Sequence, residues 1–156
     1  MITDIDLALA YAAGIIDGEG SICITKQKRA DCSIGYTYRL FAQVGMADPE
    51  VPLWLKQTFG GSLCLTPAKG SWSSYYTWTI TTRQSAGFLY QILPYLKIKK
   101  GQVEIALEFQ KLKRKPGRQF NELHKPFVLV QAEELLAERL RNMHQRNSRL
   151  GTKKPS

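Results

Sequence analysis

Residues 7–21 read LALAYAAGIIDGEGS, and this stretch constrains the fold more tightly than any other. Leucine, alanine and tyrosine without proline favour a helix, and Asp4 or Asp6 stands where it can cap one. Ala10, Gly14 and Gly18 recur every four residues, so they line one face almost without side chains. A glycine inside a helix costs about 0.5–1 kcal/mol relative to alanine. Two of them are explained if another helix backbone packs closely against this face. Asp17 and Glu19 fall at the end of the same helix, flanked by Gly18 and Gly20. The C-terminal end of a helix is partially negative, so two acids there are unfavourable unless a cation offsets them. Solvated acids beside a glycine cap would account for an isolated acid, but not for the whole ordered pattern.

The charge is as uneven as this stretch is ordered. The chain has 156 residues and a net charge of +9. Residues 97–156 hold 15 Lys and Arg against 6 Asp and Glu, whereas residues 1–96 hold 7 of each. A basic chain of this kind calls for a polyanionic partner, most simply nucleic acid. Phosphate attraction then belongs mainly to the C-terminal part and sequence reading to the neutral strands. No apolar run approaches the roughly 20 residues of a membrane span, so no membrane is expected as a partner. The N-terminus has no basic region, apolar core and cleavage site in succession, so the chain is expected not to be secreted. Cys23, Cys32 and Cys64 have neither a CxxC pair nor metal-finger spacing, which fits a reducing interior. The expected compartment is intracellular, a prokaryotic cytoplasm or an organelle interior.

The remainder reads as alternating hairpins and helices. Residues 21–29 alternate apolar and polar, residues 36–46 are rich in aromatic and β-branched side chains, and the two form a hairpin. Asp48-Pro49-Glu50 starts a helix that closes at Gly60-Gly61. A second hairpin spans 62–69 and 73–82 around Gly70-Ser71, and helices follow over 84–93, 100–113 and 128–145. Residues 113–118 form a basic loop. The expected fold is α+β, in the order αββαββα, with one antiparallel sheet and extra C-terminal helices. Residues 1–150 read as one domain and 151–156 as a frayed tail.

The run Ala12-Ala13-Gly14-Ile15-Ile16-Asp17-Gly18-Glu19-Gly20, followed by Ser21-Ile22, resembles the signature of the LAGLIDADG homing endonucleases. The two strand pairs, Phe59-Gly60-Gly61 and Leu93-Pro94-Tyr95-Leu96-Lys97-Ile98-Lys99 resemble the same family, closest to its short single-motif members. The resemblance covers residues 7–112 and implies a saddle-shaped sheet lying along the major groove of double-stranded DNA. It also implies a site-specific, metal-dependent double-strand break that leaves short 3′ overhangs in a long, near-palindromic target, the chemistry of intron homing. No second acidic signature occurs; Ala86-Gly87-Phe88-Leu89 comes nearest and no acid follows it. The second catalytic helix is therefore expected from a homodimer, with Ala10, Gly14, Asp17 and Gly18 at its interface.

A carboxylate beside a phosphodiester repels it, by about 1 kcal/mol at 4 Å in water and about 4 kcal/mol at an effective dielectric of 20, so acids delivered to DNA require a divalent cation. Glu19 and the Gly18 carbonyl are hard oxygen donors suited to Mg²⁺, with Mn²⁺ able to substitute. The resemblance implies that Glu19 is the metal ligand, that Asp17 has a structural or capping role in the active site, and that Lys99 stands near the attacking water. Gln43 lies in the strand that relatives use for reading DNA and completes the catalytic set. Just beyond it those relatives place a polar residue near the water, where this chain has Met46. That network is then either rebuilt through Asp48 or Arg83, or weakened.

Strand parity selects a reading face. Cys23, Thr25, Gln27 and Arg29 share one side of the first strand, and Thr37, Arg39 and Gln43 share a side of the second, with Phe41 an apolar member. Ser62, Cys64 and Thr66 share a side of the third, and Tyr75, Thr77 and Thr79 of the fourth. Arg suits guanine and Gln suits adenine, although an ordinary solvated face would be composed alike. Lys97 and Lys100 are further expected DNA contacts. His124 and His144 match no metal spacing and read as surface or packing residues. Two other classes remain open on the sequence. One is a non-cleaving RNA maturase or DNA-binding regulator on the same scaffold, which Met46 favours. The other is a basic structural RNA-binding protein, which explains the charge but not the Gly18-Glu19-Gly20 turn.

Overall fold

Thr3 caps the first helix. Its hydroxyl accepts the Asp6 N–H at 3.2 Å while the Asp6 carboxylate accepts the Thr3 N–H at 2.9 Å, so each satisfies an amide that the helix leaves without a partner. The cap expected at Asp4 or Asp6 is thus Thr3, and Asp6 serves from the third helical position. Asp6 also accepts the Tyr95 hydroxyl at 2.7 Å, which ties the start of the helix to a segment 89 positions later.

The computed structural model describes residues 1–113 and 127–151. Its elements are α1 (Asp4–Glu19), β1 (Gly20–Lys28), β2 (Tyr36–Met46), α2 (Glu50–Phe59), β3 (Ser62–Thr66), β4 (Tyr75–Thr81), α3 (Thr82–Ile92), a 3₁₀ turn (Leu93–Tyr95), α4 (Lys100–Leu112) and α5 (Phe127–Gly151). This is the αββαββα order with two further helices. The four strands form one antiparallel sheet in the order β1-β2-β4-β3. The ladder of β3 ends at Thr66, three residues sooner than the alternation suggests, because Pro67 has no N–H to donate. Gly70, at φ +62°, makes the tight turn beyond it, and Lys69 and Trp72 exchange both backbone bonds at 3.1 Å across that turn. The expected basic loop beyond Lys113, His124 and the C-terminal tail lie outside the described residues.

One face of the sheet carries the core. Ile22, Ile24, Tyr38, Leu40, Ala42, Val44, Trp78 and Ile80 are buried against Ile16, Leu55, Leu89, Ile92, Val103, Phe109 and Leu140 from the helices. Edge-to-face ring contacts link α1 to α3 through Tyr11–Trp54 at 5.1 Å, Trp54–Phe59 at 5.8 Å and Phe59–Phe88 at 4.8 Å. Trp78 is wholly buried, and its indole N–H donates to the Gly60 carbonyl at 2.8 Å. The edge strand β1 is covered by α5, whose His144 Nε2 lies 2.8 Å from the Ile22 carbonyl. His144 is thus a packing residue at a strand edge. Among the described residues, no helix is long and apolar enough to cross a membrane.

Tyr38 gives this core a measurable pH signature. Its ring is buried and its hydroxyl donates to Glu134 Oε1 at 3.3 Å. Burial, reinforced by the Glu134 carboxylate, pushes the phenol up from 10.0 to about 12. The folded chain therefore keeps this proton where the unfolded chain loses it. The contribution is complete below pH 10 and is lost as pH rises through about 12. Urea unfolding across this range is expected to show falling stability, and Tyr38→Phe is expected to flatten that decline.

Candidate active site and nucleic-acid interface

The end of α1 is assembled from residues far apart in the chain. Gly20 turns the helix directly into β1, and a Cβ there would lie 2.6 Å from Ile16 Cα, so only glycine admits the turn without a shift. The Asp17 carboxylate accepts three backbone N–H groups, from Lys97 at 2.7 Å, Ile98 at 3.2 Å and Lys99 at 2.9 Å. These amides precede the first turn of α4, where negative charge is favoured. In return the Lys99 ammonium donates to the Ile16 carbonyl at 2.7 Å and the Gly20 carbonyl at 2.5 Å, closing the C-terminal end of α1. This is the cation that two acids at a helix end require. Half-burial pushes the Lys99 amine below its ordinary value, and the Asp17 and Glu19 carboxylates pull it partly back.

Glu19, the last residue of α1, stays exposed beside this closed pair. The Gly18 carbonyl is one of the last four of the helix, a position with no intrahelical donor. Ala10, Gly14 and Gly18 are exposed along one face of α1, and an added Cβ at Gly14 or Gly18 would meet nothing within 4 Å. Asp17 is half-buried and directed at the amides before α4. Among the described residues, no three His, Cys, Asp or Glu side chains gather into a metal-binding group.

Asp17→Ala is therefore expected to destabilise the chain by roughly 2–3 kcal/mol, since it removes charge-assisted bonds and leaves three amides to water. Chemical denaturation checks this, and a loss below about 0.5 kcal/mol would contradict the capping role.

The sheet face away from the core is continuous and mostly polar, with Phe41 its apolar member. The register pairs Ser21 with Gln43, Cys23 with Phe41, Thr25 with Arg39 and Gln27 with Thr37. It continues from Gln43 to Thr79. It then pairs Ser62 with Thr79, Cys64 with Thr77 and Thr66 with Tyr75. All these positions fall on one side. Thr79 stands on this face as its parity predicts, and Ser21 and Thr81 join it by the same alternation. Gln43 stands at the end of the face next to α1, because its partner Ser21 follows Gly20 directly.

Three residues stand apart. Arg29 lies just past β1, and its guanidinium grips the Asp31 carboxylate at 2.8 and 3.1 Å. Lys97 and Lys100 are exposed beside the end of α1, not on the strands. Met46 has the parity of Val44 and packs against the core, so its side chain does not occupy the polar face. Asp48 accepts the Glu50 N–H at 2.8 Å and starts α2, while Arg83 lines a pocket near the opposite end of β2.

The fold has solved counterparts. The homing endonuclease I-CvuI, in complex with its target in the presence of Ca, superposes with a TM-score of 0.70 at 19% identity, over 89% of this chain and 83% of that one. This is the LAGLIDADG homing-endonuclease fold. The archaeal intron-encoded homing endonuclease I-Vdi141I, complexed with DNA, matches it at TM-score 0.71 and 18% identity, over 88% of this chain and 84% of that one. The LAGLIDADG homing endonuclease I-SmaMI, bound to cleaved DNA, matches at TM-score 0.66 and 17% identity, and here 88% of this chain covers only 45% of the other. No protein-family model matches the chain, and no curated protein matches it. In the homing-endonuclease fold seen here, α1 carries the acidic end and the small-residue face, while β1–β4 supply the open polar surface.

Proposed function

We propose that the chain is a homodimeric, divalent-metal-dependent DNA endonuclease that makes a double-strand break in a long, near-palindromic target and leaves short 3′ overhangs. The observation that carries this reading is the exposed Glu19 carboxylate at the end of α1, bordering an open polar sheet face. A binding protein gains nothing from an exposed acid next to phosphate. The fold of DNA-bound endonucleases adds support, as does the Ca in the I-CvuI complex. I-SmaMI, which this chain spans over 45%, is consistent with a unit that works in pairs.

The donor set fits a hard divalent cation such as Mg²⁺, or Mn²⁺ in its place. One carboxylate per chain, together with a helix-end carbonyl, suits an ion that keeps waters and takes its remaining oxygens from phosphate. Glu19 and the Gly18 carbonyl would hold it. Such an ion supplies charge neutralisation at the phosphate and a more acidic water. Asp17 acts one step removed, by fixing the 97–99 backbone and with it Lys99. The Lys99 ammonium, made more acidic by burial, stabilises negative charge developing at the cleaved phosphate. Gln43 orients the DNA or a water at the α1 end of the reading face, among Cys23, Thr25, Gln27, Arg39, Ser62, Cys64, Thr66, Tyr75 and Thr77. Lys97 and Lys100 attract the backbone beside it.

The test is cleavage of a plasmid library in Mg²⁺. Linearisation of a discrete subset supports the reading. Duplex binding without cutting in Mg²⁺ or Mn²⁺ overturns it in favour of a regulator or maturase.

A further inference from the structure

Near the far end of β2 lies a pocket of about 190 Å³ lined by four cations, Arg29, Arg39, Arg83 and Lys113, with Thr37 and Gln110 between them. Among the described residues, no acidic side chain lines it. The pocket exists because β4 stops at Thr81, opposite Phe41, and leaves the earlier residues of β2 without a strand on that side. The C-terminal end of α4 fills the gap instead. Lys113 donates to the Tyr38 carbonyl and, at 3.1 Å, to the Thr37 hydroxyl. Arg29 is steered by Asp31 on the turn beyond. Two of the four cations are thus braced by the protein, while Arg39 and Arg83 are exposed at the rim.

Local choices around the pocket run against ordinary preference. Arg83 sits in the first turn of α3, where the helix end is already positive, and that turn contains no acid. Thr81 caps α3 without a side-chain hydrogen bond. Thr82 adopts φ +52°, a left-handed conformation that a β-branched residue rarely takes, at the pocket wall. Departures from local preference that converge on one cavity mark a functional position. The volume is that of about six waters, ample for a tetrahedral oxyanion with its donors.

We propose that this pocket seats a backbone phosphate of the bound DNA duplex between Arg39 and Arg83, and so positions the duplex without reading its sequence. The proposal rests on the reading of the chain as a protein of duplex DNA. Arg39 then turns from base recognition to the backbone. The contact lies about 13 Å along β2 from the level of Gln43, four residues at a strand's rise.

The experiment measures equilibrium binding without divalent metal from about 50 to about 200 mM KCl. The ligands are a cleavable duplex, a scrambled duplex of equal length and a duplex RNA. Arg83→Gln, Arg83→Lys and Arg39→Gln are compared with the native chain, and unchanged thermal midpoints confirm folding. Arg83→Gln and Arg39→Gln are each expected to weaken both DNA duplexes equally and to reduce the slope of log K against log salt by up to about 1.8, one phosphate's worth in each of the two subunits. Arg83→Lys is expected to restore the slope. An unchanged slope, or a loss confined to the cleavable duplex, overturns the phosphate assignment while leaving the endonuclease reading intact. The same arginine dependence with tighter binding to RNA overturns the assignment to DNA. A native chain that binds no duplex at all overturns the underlying reading as well.

Discussion

Glu19→Gln is expected to bind its DNA target and cut it at least about 10²–10³-fold more slowly, the scale of losing one preorganised electrostatic partner at a reacting centre. The substitution keeps the shape of the side chain and removes its charge. Glu19 is exposed at the last position of α1, and the helix end is closed by Lys99, so folding does not depend on the carboxylate. Binding should even tighten slightly without metal, because a negative charge facing phosphate has gone. The measurement is single-turnover cleavage of a selected target beside equilibrium binding of the same duplex. Cleavage at the native rate would remove Glu19 from the chemistry. Loss of cleavage and binding together, with a lowered thermal midpoint, would point to a structural role instead.

Gly14→Leu is expected to separate folding from assembly. An added Cβ at Gly14 meets nothing within 4 Å inside the chain, so the subunit has room for the side chain, and helix propensity improves by up to about 1 kcal/mol. Across a two-fold axis the same leucine appears twice on a face whose small residues let backbones approach. Overpacking of about 1–3 kcal/mol per subunit then doubles to about 2–6 kcal/mol. That weakens a dimer by about 30-fold to about 10⁴-fold. Sedimentation should show a well-folded monomer at concentrations where the native chain is dimeric, with double-strand cleavage abolished. A native chain that sediments as a monomer at all concentrations, or a Gly14→Leu dimer of native strength, would refute pairing through this face.

Sequence patterning defined the sheet because its side-chain period is two. Tyr36–Met46 emerges with the bounds that its alternation suggests, and the polar parity of all four strands falls on one face. The same parity rule turns Met46, three positions beyond Gln43, to the core. Thr3 was legible too, since Thr followed three residues later by Asp is a capping-box spacing. The closure of α1 was not legible locally. Its need for a cation could be stated from the helix dipole, but Lys99 and the 97–99 amides are supplied from 79 to 83 positions along the chain. The Arg39–Arg83 pocket was hidden for a similar reason. It exists only because β4 ends where α4 can take its place.

The exchange between Asp17 and Lys99 also sets an order of assembly. Each side chain completes the other's helix, so neither terminus is finished until both are present. A chain synthesised only as far as β4 has the whole acidic signature but none of the residues that close it. Its Glu19 sits on a fraying end, and closing the intervening loop adds an entropic cost that grows slowly with length. The acidic end of the molecule is therefore latched from a distance, and it becomes rigid only when the chain has folded back on its own beginning.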